Sequence, residues 1–210
     1  MKQSVILGSG SPRRLELLRS IGVEPRVVSP DVDESLHDGE SPESYVRRLA
    51  SAKLEAVMRQ IGSAAVGTVV ISADTTVAVD DDEGRCHILA KPVDVQDAVA
   101  MLRLLSGREH QVHTGFAVAV AAPGCRSVEW SGHVEVVTSK VLFRDLTPFE
   151  IDEYVTTGEP LDKAGAYAVQ GGGARFVERI EGSLDAVIGL PLDRIVDVCA
   201  GLGRPLGRHT

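Results

Sequence analysis

Apolar and polar positions along this chain follow two rhythms, and the rhythm changes repeatedly from one to the other. Ser4–Leu7 is a short β-branched run that meets Gly8, Ser9, Gly10, Ser11 and Pro12, after which Leu15, Leu18 and Ile21 recur at helical spacing until Gly22. This predicts strand, tight loop and helix, with Ser11 able to cap the helix and Pro12 suited to its first turn. After an acidic, proline-bearing loop over Pro30–Pro42, a long helix is expected from about Ser41 to Gln60. Its buried stripe would carry Tyr45, Leu49, Ala52 and Ala56, with Lys53 beside the stripe. Thr68–Ala73 reads as a strand, and Thr76–Val79 as a further extended piece. Asp80–Gly84 reads as a turn and His87–Leu89 as the returning arm of a hairpin.

Val95–Leu105 is patterned as a helix, with Ala98, Met101, Leu102 and Leu105 on one face and Gly107 closing it. Gln111–Val120, Ser127–Thr138 and Lys140–Phe143 read as strands of an antiparallel meander, with Pro123 and Gly124 as a turn. Pro148–Val155 is a helix entered from Thr147, Phe176–Ile180 a short strand, and Leu192–Cys199 a last helix. Gly201–Thr210 lacks periodicity and reads as a frayed tail. Neither repeat nor linker divides the sequence, so residues 1–200 are expected to form a single α/β domain.

Composition narrows the partners. With 210 residues, 43% hydrophobic and 25% charged, the chain can bury a core. The balance of 22 basic and 30 acidic residues gives a net charge of −8, which disfavours a nucleic-acid polymer or an anionic membrane as partner. Apolar runs such as Ser4–Gly8 and Phe116–Pro123 are too short for a signal-peptide core or a spanning helix, so a cytoplasmic protein is expected. Cys86, Cys125 and Cys199 lack metal or disulfide spacing and read as incidental thiols. The absence of Asn excludes N-glycosylation.

Three groups of residues could carry chemistry. In Gly8-Ser9-Gly10-Ser11-Pro12-Arg13-Arg14, small backbone, hydroxyls, a helix start and two guanidinium forks meet, which suits phosphate oxygens and equally describes a solvated helix start. It is neither a dinucleotide fingerprint nor a P-loop. Asp74, placed at the end of an apolar strand, could ligate a metal, take a proton from water or merely cap a turn. Glu34, in an acidic loop, could add a second metal-binding oxygen. Lysine is scarce, five against seventeen arginines, and three of the five are Lys53, Lys91 and Lys163. Gln170, before Gly171-Gly172-Gly173, offers an amide that can read a base edge. The acidic run Asp80–Glu83 reads as a solvated turn, and the six histidines have no metal-ligand spacing.

Taken in order, these segments resemble the Maf family: Ser9–Arg14, Glu34, Ala52-Lys53, Ala73-Asp74-Thr75, Ala90-Lys91-Pro92, Leu105-Ser106-Gly107, Glu159–Tyr167 and Gly189–Leu192. The resemblance implies an elongated mixed β-sheet flanked by helices, related to the inosine triphosphatase fold, with two lobes around a central cleft. It implies a nucleoside triphosphate pyrophosphatase, a hydrolase of acid anhydrides, which cuts between the α and β phosphates and cleans the nucleotide pool. A divalent cation, Mg2+ or Mn2+, a homodimer and an association with inhibition of septum formation are also implied. By the family pattern Asp74 is the proton acceptor, and Arg13, Thr75 and Gln170 mark the branch acting on dTTP and UTP.

The mechanism this suggests is metal-assisted attack of water on the α-phosphorus. Asp74 takes the proton and, with Glu34, holds the cation. Ser9, Arg13, Arg14, Lys53, Lys91 and Lys163 neutralise the phosphates. The rival expectation is a nucleotide-binding regulator of division acting through protein contacts, which would need the cations and not the carboxylate. A purely structural role leaves the Gly8–Arg14 loop without a purpose.

Overall fold

The computed structural model describes residues 4–61, 67–122 and 129–207. Seven strands form one mixed sheet: β1 (Val5–Gly8), β2 (Arg26–Val27), β3 (Val69–Asp80), β4 (Cys86–Leu89), β5 (Glu109–Ala122), β6 (Glu129–Phe143) and β7 (Val177–Glu181). Their order is β2-β1-β3-β5-β6-β7, with β4 also on β3. β1 runs parallel to β2 and β3, whereas β4 is antiparallel to β3 and β7 antiparallel to β6. The helices are α1 (Pro12–Ser20), α2 (Pro42–Ile61), α3 (Val95–Leu105), α4 (Pro148–Thr156), α5 (Leu184–Ile188) and α6 (Leu192–Gly201). The expected α/β class and mixed sheet are thus present. Among the described residues, no helix is long and apolar enough to cross a membrane.

The chain divides into two compact units. One takes the chain up to Asp74, Thr114–Val136 and the chain from Gly189; the other takes Thr75–His113 and Val137–Ile188. In the first, Ile6, Val28, Ala50, Leu54, Val57, Val70, Ala117 and Ala119 form a core cluster between α2 and the sheet. Two glycines permit that contact. A Cβ on Gly8 would stand 2.8 Å from Val57 Cγ2, and one on Gly115 would stand 2.6 Å from the Val46 carbonyl carbon. Gly8 therefore serves the approach of α2, a demand that its place in a supposed ligand loop did not suggest.

In the second unit, Val77, Leu102, Leu105, Val141, Phe143, Tyr154, Tyr167 and Phe176 lie in one core with the apolar face of α3. Edge-to-face rings, such as Phe143 on Tyr167 at 4.7 Å and Tyr154 on Phe176 at 5.1 Å, fill its centre. His110 is buried there, 2.9 Å from the Tyr167 hydroxyl, and burial pushes it down to about 4, so the ring is neutral at ordinary pH. Asp94 caps α3 by accepting from the Asp97 N–H at 2.8 Å, and Thr147 with Glu150 forms a capping box on α4.

Several expectations need correction. The two extended pieces on either side of Asp74 are one strand, because β3 changes partner without ending. Ser72 is the last residue paired with β1, and Val77 the first paired with β4. β6 likewise continues through Ser139. The buried face of α2 is Tyr45, Val46, Leu49, Ala50, Lys53, Leu54 and Val57, since the larger aliphatics outweigh the Ala52–Ala56 stripe. Lys53 lies within this face and not beside it. Ser11 occupies the N-cap position of α1 but makes no side-chain cap bond; its own N–H donates to Ser9 Oγ at 3.2 Å.

Asp81 is not a solvated turn carboxylate. It accepts from the Arg85 N–H and Nε and pairs with His87, with only 10% of its side chain exposed. The supposed tail is anchored at Leu206, whose apolar side chain is only 3% exposed. Three 3-10 turns, Glu159–Asp162, Ala164–Ala166 and Gly172–Phe176, together with β2 and α5, were too short to show a periodicity. Cys199 is buried and Cys86 exposed. The expected turn at Pro123 and Gly124, Cys125, the start of the Ser127 strand and residues 208–210 lie outside the described residues.

Candidate active site

The first unit gathers six of the expected site residues: Ser9, Arg13, Arg14, Glu34, Lys53 and Asp74. β1 delivers the chain into Ser9, and α1 begins at Pro12 with no N–H to lose. Ser9 is buried, and its Oγ accepts from Arg14 Nη1 at 2.9 Å and from the Ser11 N–H at 3.2 Å. Arg14 Nε donates to the Gly189 carbonyl at 2.8 Å, so the guanidinium plane is held from two sides. Burial pushes Arg14 below its ordinary value. The Asp74 carboxylate opposes that shift, and the neighbouring Arg13 cation adds to it. Because a guanidinium keeps its proton in proteins, the outcome is a half-buried cation, a favourable neighbour for phosphate oxygens.

Asp74 lies on β3, two residues beyond the last pairing with β1. Lys53 Nζ, on the buried face of α2, stands 2.6 Å from Asp74 Oδ1 and 2.6 Å from Glu34 Oε1. The Lys53 and Asp74 side chains are 10% and 11% exposed, whereas Glu34 is 47% exposed. One buried ammonium thus bridges a sheltered carboxylate and a half-open one. The Tyr45 hydroxyl donates to the Glu34 carbonyl at 2.9 Å, and burial, reinforced by the Asp74 and Glu34 charges, pushes its pKa up to about 12. Arg48 grips Glu40 with two bonds of 2.7 Å and donates to the Ser35 carbonyl at 2.9 Å, which ties the acidic loop to α2. The Arg48 bonds hold Glu40 down at about 2.

The convergence of Glu34 and Asp74 on one cationic nitrogen makes this donor set suitable for a divalent ion. Two carboxylates completed by phosphate oxygens and water are an ordinary Mg2+ environment. Among the described residues, no group of three or more His, Cys, Asp or Glu stands ready to cage a metal alone.

The remaining expected residues belong to the second unit. Thr75 is half-buried on β3, and Lys91 is exposed after β4. Lys163 Nζ donates to the Glu159 carbonyl at 2.8 Å and pairs with Asp162. Gln170 is exposed. Tyr45, Arg48 and the Gly189 carbonyl did not emerge as site supports from sequence. Their partners lie 11, 13 and 175 positions away, and no local spacing marks such pairs.

A family model described as "Maf-like protein" matches residues 4–202, which is nearly the whole described chain. The chain belongs to the Maf-like protein family. Relatives of this Maf-like chain include the dTTP/UTP pyrophosphatases of Geotalea uraniireducens (47% identical, covering 96% of each chain) and Vibrio cholerae (46%, covering 90% and 92%). That of a Geobacillus strain is 44% identical over 97% of this chain and 100% of its own. Among solved structures, the Ham1 protein of Staphylococcus aureus aligns over 95% and 99% of the two chains at 12% identity and a TM-score of 0.38, too slight a likeness to carry an argument. The Maf-like match spans every segment from Ser9 to Leu192 on which the resemblance rested.

Proposed function

We propose that this chain hydrolyses dTTP and UTP to the nucleoside monophosphate and pyrophosphate, and so cleans the nucleotide pool. Relatives bearing that activity in their names are 42–47% identical over nine-tenths or more of the chain. The observation that carries the reading from name to chemistry is the Lys53 bridge between buried Asp74 and Glu34, in the same unit as Ser9 and Arg14.

Water attacks the α-phosphorus. Its oxygen forms the new P–O bond, its proton passes to the Asp74 carboxylate, and the bond to the β-phosphate breaks with pyrophosphate taking the electron pair. Arg14 and Ser9 bind phosphate oxygens from α1 and the loop before it, and Lys53 supplies a further cation at the reacting end. Asp74 and Glu34 are the residues that would hold Mg2+ or Mn2+, whose chemistry here is neutralisation of phosphate charge.

Roles for the other residues follow the family pattern. Lys91, Lys163 and Arg13 serve the phosphates, while Thr75 and Gln170, with Arg13, set the preference for a pyrimidine. The net charge of −8 leaves local cations, not the whole surface, to attract the substrate. The same pattern supports a homodimer, for which light scattering would read twice the chain mass, and a role on the nucleotide pool supports a cytoplasmic location.

Pyrophosphate release from a nucleotide panel tests the reading. dTTP and UTP are expected to give kcat/KM values about tenfold or more above dATP and dGTP, the worth of a base-edge hydrogen bond or two. Chelation of divalent ions is expected to abolish release and added Mg2+ or Mn2+ to restore it. Faster hydrolysis of purines would reject the specificity, and unchanged release in chelator would reject the metal.

A further inference from the structure

Glu159, outside the machinery described so far, stands at the meeting point of two segments of the second unit. Its carbonyl accepts from Lys163 Nζ at 2.8 Å. Its carboxylate lies against the backbone of the glycine run that follows Gln170. A Cβ on Gly171 would collide with Glu159 Oε1 and stand 2.6 Å from Cδ, and a Cβ on Gly172 would stand 3.3 Å from Oε2. Gly171 has φ −135°, so its backbone angle does not call for glycine; the Glu159 carboxylate does.

Tyr154 completes the support. Its hydroxyl accepts from the Ala168 N–H at 3.0 Å, and a Cβ on Gly173 would stand 3.0 Å from that oxygen. Burial and the adjacent Glu159 carboxylate push the Tyr154 hydroxyl well above its ordinary range, so it remains a proton donor. Ala168 and Gly171–Gly173 are thus held on both sides of Gln170 by one carboxylate and one phenol. Gln170 itself remains exposed between them.

The Tyr154 hydroxyl is hydrogen-bonded to the Glu159 carboxylate, which ties the phenol and the carboxylate together beneath the glycine run.

We propose that Glu159 is a positioning residue for substrate selection, fixing the Gln170 amide where it can read a pyrimidine edge. The proposal rests on Gln170 as the base reader. A misplaced amide loses its hydrogen bond to the preferred base and leaves a non-preferred base unaffected.

The test measures kcat/KM for dTTP and dGTP in Glu159→Ala, Glu159→Gln, Gly171→Ala, Gln170→Ala and the Glu159→Ala/Gly171→Ala pair. Glu159→Ala and Gly171→Ala are each expected to lower the dTTP value about tenfold while moving dGTP less than about twofold, the size of one lost hydrogen bond. Glu159→Gln, which keeps the volume, should retain the wild-type ratio. In the Glu159→Ala background, Gly171→Ala should add no further loss, because the colliding group is gone.

Equal losses for both nucleotides, or additive losses in the pair, would make Glu159 a structural residue and overturn the proposal. Should Glu159→Ala fail to fold, Gly171→Ala with an unchanged ratio would overturn it by itself. A wild-type ratio in Gln170→Ala would instead reject Gln170 as the reader, a failure distinguishable from that of Glu159.

Discussion

Replacing Asp74 with Asn is expected to lower turnover of dTTP by a factor on the order of 100 or more, with KM changed far less. Asn keeps the shape and one oxygen for Lys53 but cannot accept a proton from water. The loss therefore falls on the transition state and not on binding. Lys53 retains Glu34 as a partner at 2.6 Å, so the variant should fold. Pyrophosphate release at saturating nucleotide, read beside a circular dichroism spectrum, checks both parts. Near-normal release from the folded variant would remove Asp74 from the proton-accepting role.

The second large effect is expected at Lys53. Methionine would fill most of the same volume on the buried face of α2 but leave Asp74, 11% exposed, without its hydrogen-bonded ammonium. Breaking one side of a buried pair costs about 3–5 kcal/mol, because the remaining charge stays desolvated. Glu34 is 47% exposed and can turn to water, so the lower end of that range is expected. Urea unfolding of Lys53→Met should show the loss. Added Mg2+ should return part of the stability to the variant by taking the place of the ammonium, and return less to the wild type, where Lys53 competes for the carboxylates. A variant as stable as the wild type would show that the bridge contributes nothing to folding. Equal stabilisation of both proteins by Mg2+ would place the ion elsewhere.

Much of the fold was legible because its longer elements bury continuous faces. The stripe of Ala98, Met101, Leu102 and Leu105 on α3 and the Thr147 entry to α4 are local patterns, and local patterns survive packing. The errors arose where neighbours decide. The apolar run alone puts Asp74 at the end of a strand, with Thr76–Val79 continuing extended beyond it. The strand continues because backbone pairing passes from β1 to β4 regardless of the side chain. The face of α2 was rotated by a turn's fraction because Ala52 and Ala56 kept time with Tyr45, yet Val46, Leu54 and Val57 offer more area to bury.

What the amino-acid order determined alone is the set of chemical parts and their succession. The Ser9–Arg14 loop before a helix, a carboxylate in an apolar strand, rare lysines and a glutamine before glycines are all properties of neighbouring residues. Only the tertiary structure decided which parts meet. Lys53 stands at 2.6 Å from both Glu34 and Asp74 because α2 packs on the sheet, and Arg14 reaches Gly189 across 175 positions because the segment between α5 and α6 comes to rest beside α1. The physical reason is that a side chain's local rhythm specifies which face it occupies, whereas its ionic partner depends on where the buried area of distant segments brings that face to rest.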